Sequence, residues 1–307
     1  MKIYFKDKKL NKEFITNGYV KLKLFNNDEI KSIENFGKKI KKLGKPHRDN
    51  VMNFYTNGPT GLDYNAFFSS LIDTKVREIL IGYEFFNTTI AQKPKKSESL
   101  PWHYDLSIYD EKKYGRPIAI WAGFKPTNAK NGNFILIPKS HKLATPYYPF
   151  PSDLNNFIYN LYDCNRLIKE KAIEIPLKKG EVIIHDQGLF HSSAPNRSFF
   201  KDRLAYKLLL VPSKVNEFSF SYFNTEDKTI STFQIPKEKL INNAGEILGQ
   251  LYTNPKGFNL ISKHKVSISD NNSIPYDKLI EILEEPIKEL KPLEIMSKAF
   301  SEVKINQ

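Results

Sequence analysis

Cysteine is almost absent from this chain, in which Cys164 is the only one among 307 residues. A single cysteine cannot form a disulfide within the chain, which excludes a small secreted module held together by disulfides. The sequence therefore favours a reducing compartment, and we expect a cytoplasmic location. The length is enough for one large domain or two modest ones.

Long apolar runs are missing as well. No stretch of about 18 apolar residues occurs, so we expect no membrane span. The first five residues lack the apolar core of a signal peptide. Internal repeats and low-complexity tracts are also absent from the sequence, which argues against a solenoid or a disordered protein.

Acidic residues are outnumbered: 34 Asp and Glu stand against 47 Lys and Arg, for a net charge of +13. Such a charge favours anionic small molecules, acidic partners or nucleic acid. The lysines are scattered through nearly every segment, however, so a solvated surface is the better interpretation than one binding patch. We therefore expect a small-molecule substrate and no nucleic acid, while the oligomeric state is not indicated.

Apolar patterning predicts a mostly β core with flanking helices, an α+β chain. Helical periodicity predicts helices that end at Asn17, run through residues 27–43 and lie within 65–82. Short apolar runs predict strands over residues 19–24, 85–92, 116–125, 134–137, 172–176, 182–186 and 203–212. We expect residues 1–213 to form the core. Residues 214–307 are expected to form a partly helical extension, with helices near 236–252 and 276–300, packed on the core as one structural unit.

The segment Trp102–Asp105 contains the first candidate for chemistry. Residues two apart on a strand point to the same side, so an extended chain places His103 and Asp105 on one face. An imidazole and a carboxylate are two of the three ligands in the facial triad of non-haem Fe(II) sites, if a second His joins them. By itself the pair is weak, because 6 His and 34 acidic residues give about 0.7 such pairs by chance.

Three further segments follow in order along the chain. They are an Asn-Gly turn leading to a Pro-x-Ser-His sequence (residues 131–142), a Lys-Gly-Glu-Val turn (179–182) and the sequence His-Ser-Ser-Ala-Pro-Asn (191–196). Together with Trp102–Asp105 they resemble the phytanoyl-CoA dioxygenase family of Fe(II)/2-oxoglutarate-dependent oxygenases. Residues 14–33 resemble the opening of that family, and the resemblance covers roughly residues 10–213.

The resemblance implies a double-stranded β-helix, the jelly roll of cupin-like proteins, with iron between its two sheets. His103, Asp105 and His191 are the implied metal ligands and the implied catalytic centre. Two imidazoles and one carboxylate occupy one face of an octahedron and leave three positions open for 2-oxoglutarate and O₂. Fe(II) is therefore the expected cofactor, with 2-oxoglutarate and O₂ as co-substrates.

The far carboxylate of 2-oxoglutarate needs a cation, and a planar guanidinium suits it because two parallel hydrogen bonds form. In the family this Arg begins the strand after the distal His. Arg203 is twelve residues past His191 and begins an apolar strand. Arg197, six residues past His191, is the competitor, but it lies in the expected turn, so Arg203 is favoured.

Three other residues resemble positions that line the co-substrate: Ser193, Trp121 and, more weakly, Gln92. Trp121 fits simple core packing equally well. His185 and His141 are histidines that we expect not to bind metal. His141 falls in a segment that is structural in the family, although Lys139 replaces the family's glycine there and a different local turn is possible.

The lead hypothesis is an oxygenase that hydroxylates or otherwise oxidises a small-molecule metabolite or natural-product intermediate, while 2-oxoglutarate is decarboxylated to succinate. Asp105 favours these outcomes over halogenation, because related halogenases lack the acid. One alternative is a cupin-like metal-binding isomerase or non-catalytic binding protein, and another is a nucleic-acid-acting oxygenase. The substrate itself is not indicated.

An aromatic lid is expected from residues 47–62, 106–115 and 146–170, with Tyr109, Tyr114, Tyr147 and Tyr148.

Overall fold

A computed structural model describes residues 3–43, 51–55, 62–105, 116–143, 164–224, 226–240, 258–266, 275–286 and 300–302. The helices in these ranges are α1 (Lys8–Asn17), α2 (Asn27–Leu43), α3 (Tyr64–Ile79), α4 (Cys164–Lys171) and α5 (Tyr276–Glu284). The strands are β1 (Tyr19–Lys23), β2 (Asn53–Tyr55), β3 (Tyr83–Lys93), β4 (Ile118–Gly123), β5 (Phe134–Leu136), β6 (Ile173–Ile175), β7 (Glu181–Asp186), β8 (His191–Ser193), β9 (Arg203–Pro212), β10 (Glu217–Asn224), β11 (Thr229–Pro236), β12 (Asn259–Val266) and β13 (Phe300–Glu302).

Helix α1 ends, and helix α2 begins and ends, where the sequence predicts. Helix α1 ends at Gly18, whose φ of 80° is a left-handed conformation that glycine adopts without strain. Helix α2 begins with a reciprocal capping box: the Asn26 backbone N–H donates to the Glu29 carboxylate at 2.8 Å, and the Glu29 N–H donates to the Asn26 side chain at 3.0 Å. These caps fix the helices that cover one face of the main sheet.

Two antiparallel sheets form the jelly roll. The larger has the strand order β1-β7-β4-β9-β3-β2 and the smaller has the order β6-β5-β8. An isolated bridge between His103 and His191 adds the segment around His103 to the edge of the smaller sheet. The sheets meet where Trp121 of β4 lies 5.1 Å from Phe134 of β5, between ring centroids. The double-stranded β-helix expected from the sequence is thereby confirmed.

The larger sheet has two faces with different partners. One face carries fully buried aliphatic side chains, such as Ile120, Ile184 and Leu208, and packs against the helices. Tyr206 of β9 contacts Phe68 of α3, with ring centroids 4.6 Å apart. Because side chains alternate along a strand, the residues between these point to the smaller sheet. That second face carries the polar and charged side chains of the site described below.

Beyond residue 213 the chain contains more strand than the sequence predicts. Strands β10 to β13 form a four-stranded sheet, and residues 218–222, which alternate in the sequence, lie in β10. The side chains of Phe218, Phe220 and Ile235 in this sheet pack on Phe86 and Val211 of the main sheet. The helix expected near 276–300 is present in part, as α5. Residues 241–250, where one of the expected helices falls, lie outside the described ranges. Within the described ranges no helix is long and apolar enough to cross a membrane.

Candidate metal centre

Three metal-binding side chains converge between the two sheets. The ligand atoms of His103, Asp105 and His191 all lie within 4.8 Å of one another. Backbone hydrogen bonds fix this arrangement: His103 and His191 exchange N–H···O bonds of 3.0 Å, and the Asp105 N–H donates to the Gln187 carbonyl at 3.1 Å. The His-x-Asp segment is thus paired directly with the strand that carries the second histidine.

Both histidines have their lone pairs aimed into the site. The Nδ1 atoms of His103 and His191 lie 2.8 Å from the Pro101 and Leu189 carbonyl oxygens, so each Nδ1–H donates and each Nε2 carries the lone pair. Burial lowers the pKa of both imidazoles, that of His191 furthest. They are neutral at neutral pH, which is the form that binds metal.

The two oxygens of the Asp105 carboxylate have different partners. Oδ1 accepts a hydrogen bond of 2.6 Å from the Lys207 ammonium. Oδ2 is buried, has no hydrogen-bond partner among the described residues, and lies 3.9 Å from His191 Nε2. Burial alone would raise the pKa of this carboxyl, but Lys207 and the surrounding imidazoles hold it well below its usual range. Asp105 is therefore ionised, with one oxygen free to bind a cation.

Lys207 was missed by the sequence analysis. The available signal was its position in the apolar strand β9, four residues after Arg203 and hence on the same face. Trp121 of β4 is its cross-strand neighbour. Since Lys207 holds one carboxylate oxygen, it directs Asp105 to bind through the other.

These donors fit a divalent iron ion. Two neutral imidazoles and one ionised carboxylate are the facial set of non-haem Fe(II) sites. The unpartnered Oδ2 of Asp105 supplies the observation that requires a cation, because a buried carboxylate oxygen without a donor is costly.

Arg203, at the beginning of β9, lies on the same face of the larger sheet as Lys207. Its Nη2 donates to Ser193 Oγ at 2.7 Å, and its guanidinium carbon lies 5.3 Å from the centroid of the Trp121 ring. Its Nε has no partner among the described residues. Burial lowers its pKa to about 9, so the guanidinium is still charged at neutral pH. The geometry brings Arg203, Ser193 and Trp121 together, as the sequence analysis expected.

A second buried cation, which the sequence analysis did not single out, lies beside Arg203. Lys93 is its cross-strand neighbour in β3, is fully buried, and has an ammonium without a hydrogen-bond partner among the described residues. Burial and the nearby guanidinium lower its pKa to about 7. Its stem passes Gly132, where a Cβ atom would lie 2.7 Å from the Lys93 Cδ. Two buried cations with unused donors fit the far carboxylate of 2-oxoglutarate.

Gln92 is the one expected co-substrate residue that the structure does not bring to this pocket. Gln92 pairs with Leu204, on the face of the sheet opposite to Lys93 and Arg203. Its amide donates to Asp202 at 2.8 Å and accepts from Asn53 at 3.2 Å. These hydrogen bonds hold Gln92 at the end of β3, on the side of the sheet away from Lys93 and Arg203.

The structure also locates two residues that the sequence analysis set aside. Arg197 is exposed, so Arg203 is the buried one of the two candidate arginines. His141 is buried near α1, with Nε2 3.0 Å from the Ile15 carbonyl oxygen, away from the metal donors. Lys139 keeps the left-handed turn of the glycine it replaces, with a φ of 69°. The four tyrosines and most of the segments expected to form a lid lie outside the described residues.

Comparison with known proteins agrees with this geometry. The sequence profile of the phytanoyl-CoA dioxygenase (PhyH) family matches residues 14–205. No curated protein sequence matches the chain.

Among solved structures, the non-haem α-ketoglutarate-dependent epimerase SnoN from nogalamycin biosynthesis is 15% identical. It superposes with a TM-score of 0.51 over 69% of this chain and 84% of its own. Its complex with Fe³⁺, α-ketoglutarate and nogalamycin RO is 15% identical and gives 0.50 over 68% and 87%. HygX from Streptomyces hygroscopicus, with nickel, 2-oxoglutarate and hygromycin B, is 14% identical and gives 0.49 over 68% and 88%.

At these identities the two SnoN structures show a shared fold. The family match spans more than half of the chain and includes His103, Asp105, His191 and Arg203. The chain belongs to the phytanoyl-CoA dioxygenase (PhyH) family and is an Fe(II)/2-oxoglutarate-dependent oxygenase.

Proposed function

We propose that this enzyme hydroxylates, or otherwise oxidises, a small-molecule metabolite or natural-product intermediate. The observation that carries the proposal is that two buried cations, Arg203 and Lys93, lie on the face of the larger sheet that is turned towards the strand of His191, where Arg203 contacts Ser193. A metal-binding isomerase or a non-catalytic metal protein has no need for two buried cations with unused hydrogen-bond donors beside its ion. A dicarboxylate that binds the ion at one end can place its other carboxylate against both Arg203 and Lys93.

Each side chain has a distinct role in this proposal. Bound Fe(II) supplies the oxidising chemistry with O₂ while 2-oxoglutarate is decarboxylated to succinate. His103 and His191 hold the ion through Nε2, and the charge of Asp105 offsets part of the charge of the ion. Arg203 and Lys93 bind the far carboxylate of 2-oxoglutarate.

Two more side chains support this arrangement. Ser193 accepts a hydrogen bond from Arg203 and so fixes the plane of the guanidinium. Trp121 covers one side of the same pocket. These contacts orient the co-substrate before O₂ reacts, which limits unproductive reaction with water.

Retention of the carboxylate ligand supports oxidation rather than halogenation, because Asp105 occupies the position that halide would need. Cys164 is the single cysteine of the sequence and cannot form a disulfide within the chain, which supports a reducing, cytoplasmic setting. A nucleic-acid substrate is less well supported, because two lysines of the described strands, Lys93 and Lys207, point inward to the site rather than to a surface groove.

The substrate class is tested by a metabolite screen with purified enzyme, Fe(II), 2-oxoglutarate and O₂. We expect succinate formation to rise above the substrate-free rate with one class of small molecule, together with a product 16 mass units heavier or 2 lighter, as hydroxylation or desaturation requires. Stimulation by single-stranded or double-stranded nucleic acid, with no response to metabolites, would contradict the proposal.

Lys93 makes the affinity for 2-oxoglutarate dependent on pH. An anion favours the charged ammonium, so binding raises the Lys93 pKa from about 7 and takes up a proton. Affinity should be full below pH 7 and fall above it, by at most about tenfold per pH unit until the pKa of the complex is reached.

The Lys93→Met variant should bind 2-oxoglutarate more weakly and lose this pH dependence. Calorimetric titration at pH 6, 7, 8 and 9, in two buffers of different protonation enthalpy, measures both the affinity and the proton uptake. Equal pH profiles for the two proteins would show that Lys93 does not contact the co-substrate.

A further inference from the structure

Lys207 is a third cation on the inward face of the larger sheet. Arg203 and Lys93 are cross-strand neighbours at one end of this face and suit the far carboxylate of 2-oxoglutarate. Lys207 lies four residues further along β9, which places its Cα atom about 13 Å from that of Arg203 by strand geometry. Its ammonium contacts Asp105 and so lies beside the metal donors. The far carboxylate of the co-substrate therefore does not use this third charge.

The side chain of Lys207 is open to solvent, unlike those of the other two cations. It is 30% exposed, whereas Lys93 and Arg203 are 0% and 5% exposed. Its cross-strand neighbour in β3, Thr89, is half-buried. Phe54 of β2 lies on the same face, two strands away from β9, and is 41% exposed. A molecule that enters from the β2 side of the sheet can therefore reach Lys207.

The Lys207 ammonium has hydrogen-bond donors to spare. It carries three N–H groups, and one of them donates to Asp105 Oδ1 at 2.6 Å. No second acceptor for Lys207 occurs among the described residues. When Asp105 also binds the metal, its single negative charge is shared between the ion and Lys207. Both unused donors and uncompensated positive charge then remain on this side chain.

Positive charge is in excess around the loaded centre. Fe(II) contributes two positive charges and Lys207 and Arg203 one each, whereas Asp105 contributes one negative charge and 2-oxoglutarate two. These described groups therefore leave a net positive charge, even before Lys93 is counted. Glu98, which acts on Lys93, is exposed, so solvent screens it. An excess of one charge in a largely buried site favours binding of the opposite charge.

We propose that Lys207 binds an anionic group of the substrate, a carboxylate or a phosphate, and that the substrate is therefore a small acid. Lys207 keeps one N–H on Asp105 and donates the others to the substrate anion. Because Asp105 is one of the metal donors, this contact places the oxidised C–H group within a few bonds of the anionic group. The inference rests on the proposed function and adds the substrate class to it.

Matched acids and amides test this contact by binding alone. Co(II) replaces Fe(II), so that calorimetric titration of the protein loaded with Co(II) and 2-oxoglutarate measures binding without oxidation. The probes are hexanoate, benzoate and phenyl phosphate, with hexanamide and benzamide as the neutral counterparts. The wild-type protein should bind the acids more tightly than the amides. Lys207→Met should weaken binding of the acids by about 10- to 100-fold, as loss of a hydrogen bond to a charged group requires, and leave the amides unchanged.

The controls separate the possible roles of Lys207. Lys207→Arg keeps the charge and should retain the preference for acids. Lys207→Gln keeps a donor towards Asp105 and serves if the Met variant loses Co(II). Lys214→Met removes an exposed lysine that follows β9 and should leave the preference unchanged. A Lys207 variant that binds Co(II) or 2-oxoglutarate more weakly but keeps the wild-type preference for acids would overturn the inference, because Lys207 would then serve only Asp105 or the co-substrate.

The metabolite screen for succinate formation gives a second readout. The stimulating compound should be an acid, and its amide should not stimulate. Stimulation only by neutral or basic metabolites, or equal affinity for acids and amides in the wild-type protein, would overturn the inference while leaving the proposed function intact. Stimulation by nucleic acid alone would overturn both.

Discussion

Asp105→Asn is expected to reduce succinate formation from 2-oxoglutarate to background, a loss of at least about 100-fold. Replacing a residue that only hydrogen-bonds to a metal ligand typically costs about 10- to 100-fold in metal affinity or activity, and replacing the ligand itself should cost more. The substitution keeps the shape of the side chain but removes the only carboxylate among the donor atoms that the structure brings together. It also removes the charge that Lys207 contacts. Metal affinity should fall in parallel, and His103→Ala should behave alike. Quantified succinate and a Co(II) titration measure both effects.

The matched control for this variant is Asp227→Asn. Asp227 is a carboxylate in the turn between β10 and β11, hydrogen-bonded to Thr229 and paired with Lys263, away from the donors. Its replacement should leave succinate formation unchanged, and thermal unfolding of both variants checks that the fold is intact. Wild-type activity in folded Asp105→Asn would show that this carboxylate does not bind the iron.

Arg203→Met is expected to weaken 2-oxoglutarate binding by roughly 30- to 1,000-fold, since truncating one partner of a buried charge pair costs ~2–4 kcal/mol. Metal affinity should change little, because the guanidinium contacts Ser193 and Trp121 rather than the donors. Arg203→Lys keeps the charge but cannot form two parallel hydrogen bonds to a carboxylate, so its affinity for 2-oxoglutarate should lie between those of the wild-type protein and Arg203→Met. Calorimetric titration of the metal-loaded proteins with 2-oxoglutarate measures the affinities.

Arg197→Met serves as the control for this prediction. Arg197 is exposed and lies in the connection between β8 and β9, six residues before Arg203. Its removal should leave the affinity unchanged. If Arg197→Met weakened binding and Arg203→Met did not, the assignment of the co-substrate carboxylate to Arg203 would be wrong.

The metal donors could be predicted from the sequence because their placement depends on local geometry. Alternation along an extended chain puts His103 and Asp105 on one face, and the resemblance supplied His191. The structure adds the backbone pairing of His103 with His191, which brings the two segments together from 88 residues apart along the chain. That pairing depends on the register of the two sheets, which the pattern of one strand does not specify.

The charged residues around these donors were harder to predict. Lys207 interrupts the apolar strand β9, His185 follows an apolar run in β7, and Lys93 is the last residue of β3. A polar residue at a solvent-facing strand position looks the same in a sequence. Their burial follows from which strands become neighbours: β9 lies between β3 and β4, and β4 pairs with β7. Only the order of the strands in the folded sheet places these three polar side chains on one face.

Strands β11 to β13 of the C-terminal sheet were not predicted, for a different reason. In the pairing of β11 with β12 the register shifts between Thr232 and Phe233, so one strand carries an extra residue. Such a bulge interrupts the period-two alternation that identifies a strand in a sequence. The pairing of β11 with β10 is regular over eight residues, but it depends on contacts that the single-strand pattern does not contain.

Anaerobic titration of the purified protein with Fe(II) and 2-oxoglutarate tests the central claim most directly. A visible charge-transfer band should appear only when both are present, because 2-oxoglutarate must chelate an iron ion held by His103, Asp105 and His191. The band should saturate at one equivalent of each and be lost in Asp105→Asn. No band in the wild-type protein, or an undiminished band in that variant, would contradict the account.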